Sequence, residues 1–494
     1  MKSKMKIKIK LVESLWLLAM ALFIVSCAKG VDDSETFSGG VTNAQLESPE
    51  EINFATTTNA DGSENLKLSW SVVMGASGYK VNVHNMNDPV NPVAVVTDSI
   101  IDGSSMSFAK LEDTNYHISV LALGNEKLNN TDAQTATEKD YKAFEAVATI
   151  HEGESLAEYV NNDMPDFAQN LEQCIVLESG VTYQLDAIAD FGMNAVTLRG
   201  DVENRPTIVI GTDGGLVTQG GLKIKNVNID CTGMSAKGVI SLSSTPSEAL
   251  TTTSLGYQGG SLMADCYIIN NPIILQGCNL KNVKNGILYD NGKKWGIRDF
   301  RIMNSIVQLN NSGSNPIINV AGGGGVKDLT VKNSTIYNLS TKANAPFLKY
   351  SNSQPKKMFG DNDQTGSLTI ANNTFSRVMS SYKFGDRIPN ANTITVNFSY
   401  NIFYDVYQMY QAVVTQATRT TIGNTIFGVT KTTHENDTNR TDSNGRPLAT
   451  FENPNFAGPI DLEFDFTKTN GGVDFTPRGN VAIEYKAGDP RWYE

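Results

Sequence analysis

Histidine and cysteine are scarce in this chain, and the sites they would build are scarce with them. Four histidines (His84, His117, His151 and His434) are scattered through 494 residues. They show no metal-ligand spacing and offer no base for a serine or cysteine nucleophile. Five cysteines occur (Cys27, Cys174, Cys231, Cys266 and Cys278), none in a CxxC pair, which argues against thiolate zinc. Charged residues make up only 19% of the chain, and the net charge is −12. An acidic surface excludes nucleic acid as a partner, because phosphate binding needs a basic field. Beyond Val25 no apolar run is long enough to cross a bilayer. Asn, Thr, Ser and Gly fill the intervals between short apolar–polar alternations, the balance of an extracellular β-protein.

What is present begins with a leader. Lys2, Lys4, Lys6, Lys8 and Lys10 form a positive segment, and Leu15 to Val25 an apolar one too short for a permanent span. Residues 1–26 therefore read as a signal peptide, with Ser26-Cys27 as a lipoprotein cleavage site and Cys27 as the lipidated residue. Losing the leader's five lysines and Glu13 takes the charge from −12 to −16. The acidic run Asp32-Asp33-Ser34-Glu35 follows, and it resembles the surface-export signal of Bacteroidetes-type lipoproteins. That resemblance implies an outer-membrane lipid anchor facing the cell exterior. Residues 27–47 read as a flexible acidic tether. The four remaining cysteines are expected to be small buried hydrophobes.

Residues 48–147 carry strands of period two: Leu66-Lys67-Leu68-Ser69-Trp70, Tyr79-Lys80-Val81-Asn82-Val83 and Tyr116 to Leu123. Their length and spacing predict a β-sandwich with Trp70 and Tyr116 in its core. The pattern resembles a fibronectin type III module, which implies a spacer.

From residue 148 onward a repeat appears: two alternating apolar residues, then Asn, then another apolar residue three positions on. Leu222-Lys223-Ile224-Lys225-Asn226 is one copy; others centre on Asn304, Asn333 and Asn372, with shifted copies at Tyr400 and Asn424. The gap from Asn226 to Asn304 reads as three turns, with Gly277-Cys278-Asn279-Leu280 as a degenerate intermediate. Strand-forming repeats without helices between them predict a parallel β-helix over 148–494, its asparagines laddered at one corner. An amphipathic helix over 152–171, interrupted at Pro165, is expected to cap one end of the coil. The segment 452–494 is expected to close the other. The fold class is thus all-β: a fibronectin type III-like sandwich, then a right-handed parallel β-helix.

The layout, together with Thr197-Leu198-Arg199-Gly200-Asp201, Asn204-Arg205-Pro206-Thr207-Ile208 and Gly488-Asp489-Pro490-Arg491-Trp492, resembles a family of Bacteroidetes-type surface lipoproteins. In that family a pectate-lyase-like β-helix domain of unknown function accompanies polysaccharide-utilisation systems. The resemblance implies a polysaccharide ligand and other glycan-uptake proteins as partners.

Length variation falls after a second strand in each coil, at 290–298, 321–327, 351–367 and 385–392, so these loops are expected at one corner. They hold Lys293, Lys294, Trp295, Arg298, Lys356 and Lys357, with Lys383 and Arg387 at the next coil. An aromatic face for sugar C–H groups and cations for carboxylates suit an acidic glycan such as pectin. Non-catalytic glycan binding is the first reading. A uronate lyase working by β-elimination is the second, with Lys294, Arg298 or Lys383 as base. A structural or adhesion protein is the third. A hydrolase would need paired carboxylates, and no such signature stands out near Asp290, Asp299, Asp361 or Asp386. No cofactor is expected; calcium is the one ion with candidate ligands, Asp361 and Asp363.

Overall fold

The computed structural model describes residues 40–493, apart from short stretches at 59–63, 87–91, 112–113, 144–145, 166–171, 258–265, 342, 352–358, 360–364 and 413–415. The leader and Cys27 lie outside the described residues. The chain forms two compact units that meet between Glu145 and Ala146.

The first unit is an antiparallel β-sandwich. One sheet joins Ile52–Thr58, Glu64–Trp70 and Ser105–Lys110; the other joins Val93–Ile101, Gly78–Asn85, Tyr116–Leu123 and Thr137–Tyr141. Strict alternation of buried and half-buried residues along Tyr116–Leu123 shows why period two was a sound guide here. Trp70 and Tyr116 are core residues, with the Trp70 and Tyr79 rings 5.4 Å apart. The expected tether is too long by several residues. Leu46 is buried, the Ala44 amide donates to Asn130 Oδ1 at 3.0 Å, and Asn130 Nδ2 donates to the Val41 and Gly75 carbonyls. An apolar side chain and a satisfied buried amide fix residues 41–47 to the sandwich.

The second unit is a parallel β-helix. Each coil crosses three sheets in turn, here named I, II and III. Sheet I runs from Ala146–Ile150 and Glu172–Leu177 to Thr418–Ile422. Sheet II runs from Thr182–Leu185 to Thr450–Phe451, and sheet III from Ile188–Asp190 to Gly385–Asp386. Inward residues stack in columns. In sheet II one column is Tyr183, Ile208, Ile229, Leu280, Val307, Ile336, Phe375, Phe403, Ile426 and Phe451. Burial of each such side chain contributes about 1.5–3 kcal/mol. Toward the C-terminal coils the filling becomes aromatic: Phe375 and Phe403 stack at 5.2 Å, and Phe347 and Phe384 at 4.9 Å.

The recurrent asparagines do align, but as backbone elements. Asn226, Gly277, Asn304, Asn333, Asn372, Tyr400 and Gly423 all take positive φ, between 50° and 65°, at the turn from sheet I to sheet II. Asn and Gly tolerate this left-handed conformation, which explains their recurrence. The amides from Asn226 to Tyr400 donate to the next coil, as Asn304 does to the Lys332 carbonyl at 3.1 Å. The side-chain ladder stands one residue later, so Asn424 belongs to the ladder and Gly423 to the turn. Ser305 N donates to Ser334 Oγ (3.2 Å), Ser334 N to Asn373 Oδ1 (3.1 Å), Asn373 Nδ2 to Asn401 Oδ1 (3.0 Å) and Asn401 Nδ2 to Asn424 Oδ1 (3.0 Å). All five residues are buried.

Three further expectations change. Between Asn226 and Asn304 there are two turns, through Gly277; the surplus residues fall between Leu242 of sheet III and Tyr267 of sheet I. Among the described residues of 152–171 the capping helix is Leu156–Glu158 followed by a π turn at Tyr159–Asp163, and 166–171 lie outside them. Met164 turns to extended backbone, as the residue before Pro165 must. Leu156, Ala157 and Val160 still cover the first coil's core.

The third change concerns the C-terminal segment, which does not close the open end. It lies along the outside of sheet II, where Phe464, Phe475 and Trp492 pack on Ile306 and Tyr337. Trp492 Nε1 donates to Thr335 Oγ1 at 2.7 Å, Thr335 Oγ1 to Asp489 Oδ2 at 2.9 Å, and Asp489 N to Thr374 Oγ1 at 3.1 Å. Residues 428–449 take the capping place instead. Leu448 and Ala449 join the main core, and the buried His434 ring lies 6.0 Å from Phe451, the last inward residue of sheet II. His434 Nδ1 pairs with Asp437 Oδ2 at 2.8 Å. The four described cysteines are buried.

Candidate functional site

The turn from sheet III into sheet I gathers the loops the sequence singled out. Their rungs are in register: Tyr289 pairs with Asn319, Asn319 with Lys349 and Lys349 with Asp386. Three rung steps place the first and last loops roughly 14 Å apart at their bases.

Asp290 ties two of these loops together. It is 3% exposed; Oδ1 accepts from the Gly292 amide at 3.0 Å and Oδ2 from the Gly322 amide at 2.6 Å. Burial pushes its carboxyl above the usual aspartate range, against the pull of those two amides. Glycine is required at 322, since a Cβ there would stand 2.4 Å from the Lys293 carbonyl oxygen. The result is a tight layering of 321–324 on 290–294 that leaves Lys293 and Lys294 exposed.

Two rungs on, Arg387 is exposed and its Nη1 donates to the Ser351 carbonyl at 3.0 Å, linking the third and fourth loops. Lys383 Nζ lies 2.8 Å from Asp386 Oδ1. Lys293, Lys294 and Arg387 thus share the corner from sheet III to sheet I, whereas Lys383 precedes the sheet III strand and is held by Asp386. Lys356, Lys357, Asp361 and Asp363 lie outside the described residues. Among the described residues, no three His, Cys, Asp or Glu side chains are grouped to hold a metal ion.

Trp295 is a correction. It is 1% exposed within the main core, and its Nε1 donates to the Ser243 carbonyl at 3.3 Å. An indole so buried cannot stack on a sugar. Arg298 is also committed: Nε and Nη2 both donate to Asn270 Oδ1 (3.2 and 3.1 Å), and the guanidinium lies 4.3 Å from the Phe359 ring centre. The described carboxylates among those weighed for hydrolysis are engaged in the same way. Asp290 holds loops, Asp299 grips Arg301 (Nε to Oδ1, 3.0 Å), and Asp386 pairs with Lys383.

The structure adds residues that the loop argument passed over. The outward row of sheet III is Ser241, Tyr289, Asn319, Lys349 and Asp386. Tyr289, Asn319 and Lys349 are half-buried, and the Lys237 ammonium lies 5.4 Å over the Tyr289 ring. Tyr289 thus offers an aromatic face that Trp295 does not. The signal was legible, since these residues alternate with inward Leu288, Ile318 and Leu348.

Comparison with known proteins is sparse. Residues 1–187 match a family described as a domain of unknown function (DUF4992), and residues 181–339 match a second domain of unknown function (DUF4957). No curated protein matches. Among solved structures the chain is similar to the pectate lyase PelI from Erwinia chrysanthemi, in complex with tetragalacturonic acid. The identity is 10%, the alignment covers 70% of this chain and 85% of that one, and the TM-score is 0.14. The β-helix described above stands on its strand register rather than on this likeness.

Proposed function

We propose that the protein is a lipid-anchored surface protein that captures an acidic polysaccharide such as pectin without cleaving it. One observation carries the reading: on an acidic chain, Lys293, Lys294 and Arg387 stand on stacked loops beside the row Tyr289, Asn319 and Lys349. Cations on stacked loops suit the carboxylates of a uronate chain, and a half-buried tyrosine and an amide suit sugar faces and hydroxyls. Capture is favoured over elimination because two of the three candidate bases are already engaged, Arg298 by Asn270 and Phe359 and Lys383 by Asp386. Anchoring at Cys27 and display outside an outer membrane rest on the leader and the acidic run after it. In this reading the sandwich is a spacer, and other glycan-uptake proteins receive the captured chain.

Affinity electrophoresis on polygalacturonate and on neutral glycans tests the reading. Retardation only by the acidic polymer is expected. Release of unsaturated product, seen by ultraviolet absorbance and lost in Lys294→Ala, would make the protein a lyase. No retardation by any glycan would favour a structural or adhesive role.

A further inference from the structure

Strand register in the sandwich brings together two of the four histidines. His84, on Gly78–Asn85, stands directly opposite His117, on Tyr116–Leu123, and His117 directly opposite Asp140, on Thr137–Tyr141. Ser119 and Glu138 form a neighbouring pair, which sets Glu138 diagonal to His117. Directly opposed side chains in an antiparallel pair share a face, with Cβ atoms about 4.5–5.5 Å apart. The alternating neighbours Val83 and Ile118 are buried in the core, so this face is the outer one. These residues are far apart along the chain, so no ligand spacing marks them in the sequence.

The His117 ring is held in a definite state. Nδ1 lies 2.7 Å from Asp140 Oδ1; a carboxylate only accepts, so Nδ1 carries the proton and Nε2 keeps its lone pair. A carboxylate behind one ring nitrogen is the arrangement that orients metal-binding histidines. Nε2 in turn lies 3.8 Å from Glu138 Oε2, too far for a hydrogen bond. An ion at about 2.0–2.1 Å from each atom spans such a gap. The His117 side chain is 34% exposed and that of Glu138 63%, so an ion reaches the gap from water. His84 is half-exposed, and among the described residues it has no hydrogen-bond or ion-pair partner. The cations on the three strands are turned elsewhere. Lys139 donates to the Ile52 carbonyl of the other sheet at 2.6 Å, and Lys80 lies 3.9 Å from Asp98.

We propose that His84, His117 and Glu138 form a site for a divalent transition metal that joins three strands of the sandwich, with Asp140 orienting His117 and water completing the shell. Two imidazoles and a carboxylate suit zinc, nickel or copper, whereas calcium and magnesium take oxygen ligands. No such trio is gathered on one point among the described residues. His84 closes the site by rotating about its own side-chain bonds, a motion that exposed side chains make within nanoseconds. The site lies wholly in the first unit and is independent of the glycan reading. An ion bound there and not by the unfolded chain stabilises the sandwich.

The test uses full-length protein without a polyhistidine tag, titrated with Zn²⁺ by calorimetry and loaded with Cu²⁺ for electron paramagnetic resonance. One equivalent of Zn²⁺ is expected to bind, Ca²⁺ and Mg²⁺ at least tenfold more weakly, and the copper spectrum is expected to show two nitrogen ligands. His84→Gln and His117→Gln should each weaken Zn²⁺ at least tenfold and reduce the copper spectrum to one nitrogen. Asp140→Ala should weaken Zn²⁺ about 10–100-fold and leave the nitrogen count at two. His151→Gln, at an exposed histidine outside the site, should change neither readout. The nitrogen count of the wild type stands even if a variant fails to fold. A wild-type spectrum with fewer than two nitrogens, Zn²⁺ affinity unchanged in His84→Gln, or Ca²⁺ bound as tightly as Zn²⁺ would each overturn the site.

Discussion

Strands Ile306–Leu309 and Thr335–Asn338 of sheet II are buried on both faces, whereas Gly286–Tyr289, Ile318–Val320 and Leu348–Tyr350 of sheet III leave Tyr289, Asn319 and Lys349 half-exposed. Both sheets rise from the same coils at the same spacing. The difference is the C-terminal segment, which lays Phe464, Phe475 and Trp492 over sheet II and leaves sheet III bare. A β-helix of this kind has three faces but needs only its interior for stability. The covered face therefore adds stability, and the uncovered faces are free to carry polar and charged side chains that bind.

If that division holds, damage to the covered face should cost stability and spare binding. Trp492→Ala removes a buried ring and the donor to Thr335, and is expected to destabilise by about 3–5 kcal/mol in urea unfolding. Folded protein that survives should bind glycan as before; unchanged stability would show that the segment is not the seal. The ladder comes next. Asn401→Ala leaves Asn373 Nδ2 without its Asn401 acceptor and Asn424 Oδ1 without its Asn401 donor, at about 1–3 kcal/mol per unsatisfied group.

A smaller effect is expected at the end cap. Burial disfavours the ionised Asp442. The amides of Thr421, Arg446 and Asn444 and the Arg446 guanidinium outweigh that burial and hold its carboxyl down to about 2. Because the native value is lowered, its contribution is complete above the unfolded aspartate value, about 3.9, and is lost as pH falls toward 2. Asp442→Ala is expected to cost about 1–3 kcal/mol at neutral pH, and less as pH is lowered through that window. A loss independent of pH would contradict the assignment. Smallest of all in stability is the bare corner: Lys293→Ala and Lys294→Ala should change it by less than about 0.5 kcal/mol while weakening glycan binding. A large loss of stability there would mean that the corner is structural.

The same comparison explains what could be read in the sequence. Inward columns were legible wherever strands bury one face, because alternation then reports direction. In the sheet II strands Ile306–Leu309 and Thr335–Asn338 both faces are buried, alternation disappears, and the residues that the C-terminal segment would cover gave no sign of it. The asparagine repeat was visible because left-handed backbone selects Asn and Gly. The buried ladder beside it uses Ser305, Ser334, Asn373, Asn401 and Asn424, so no single residue type marked it. Trp295 was misplaced for a related reason. Counting three turns between Asn226 and Asn304 hid the long connection after Leu242, which begins with Ser243, whose carbonyl receives the buried indole.

Titration of polygalacturonate into wild type and into Lys293→Glu with Lys294→Glu and Arg387→Glu, at low and moderate ionic strength, addresses the central claim most directly. Affinity that falls with salt in wild type, drops at least tenfold in the variant and comes without any unsaturated product is the expected result. Equal affinity and equal salt dependence in the two proteins would contradict it.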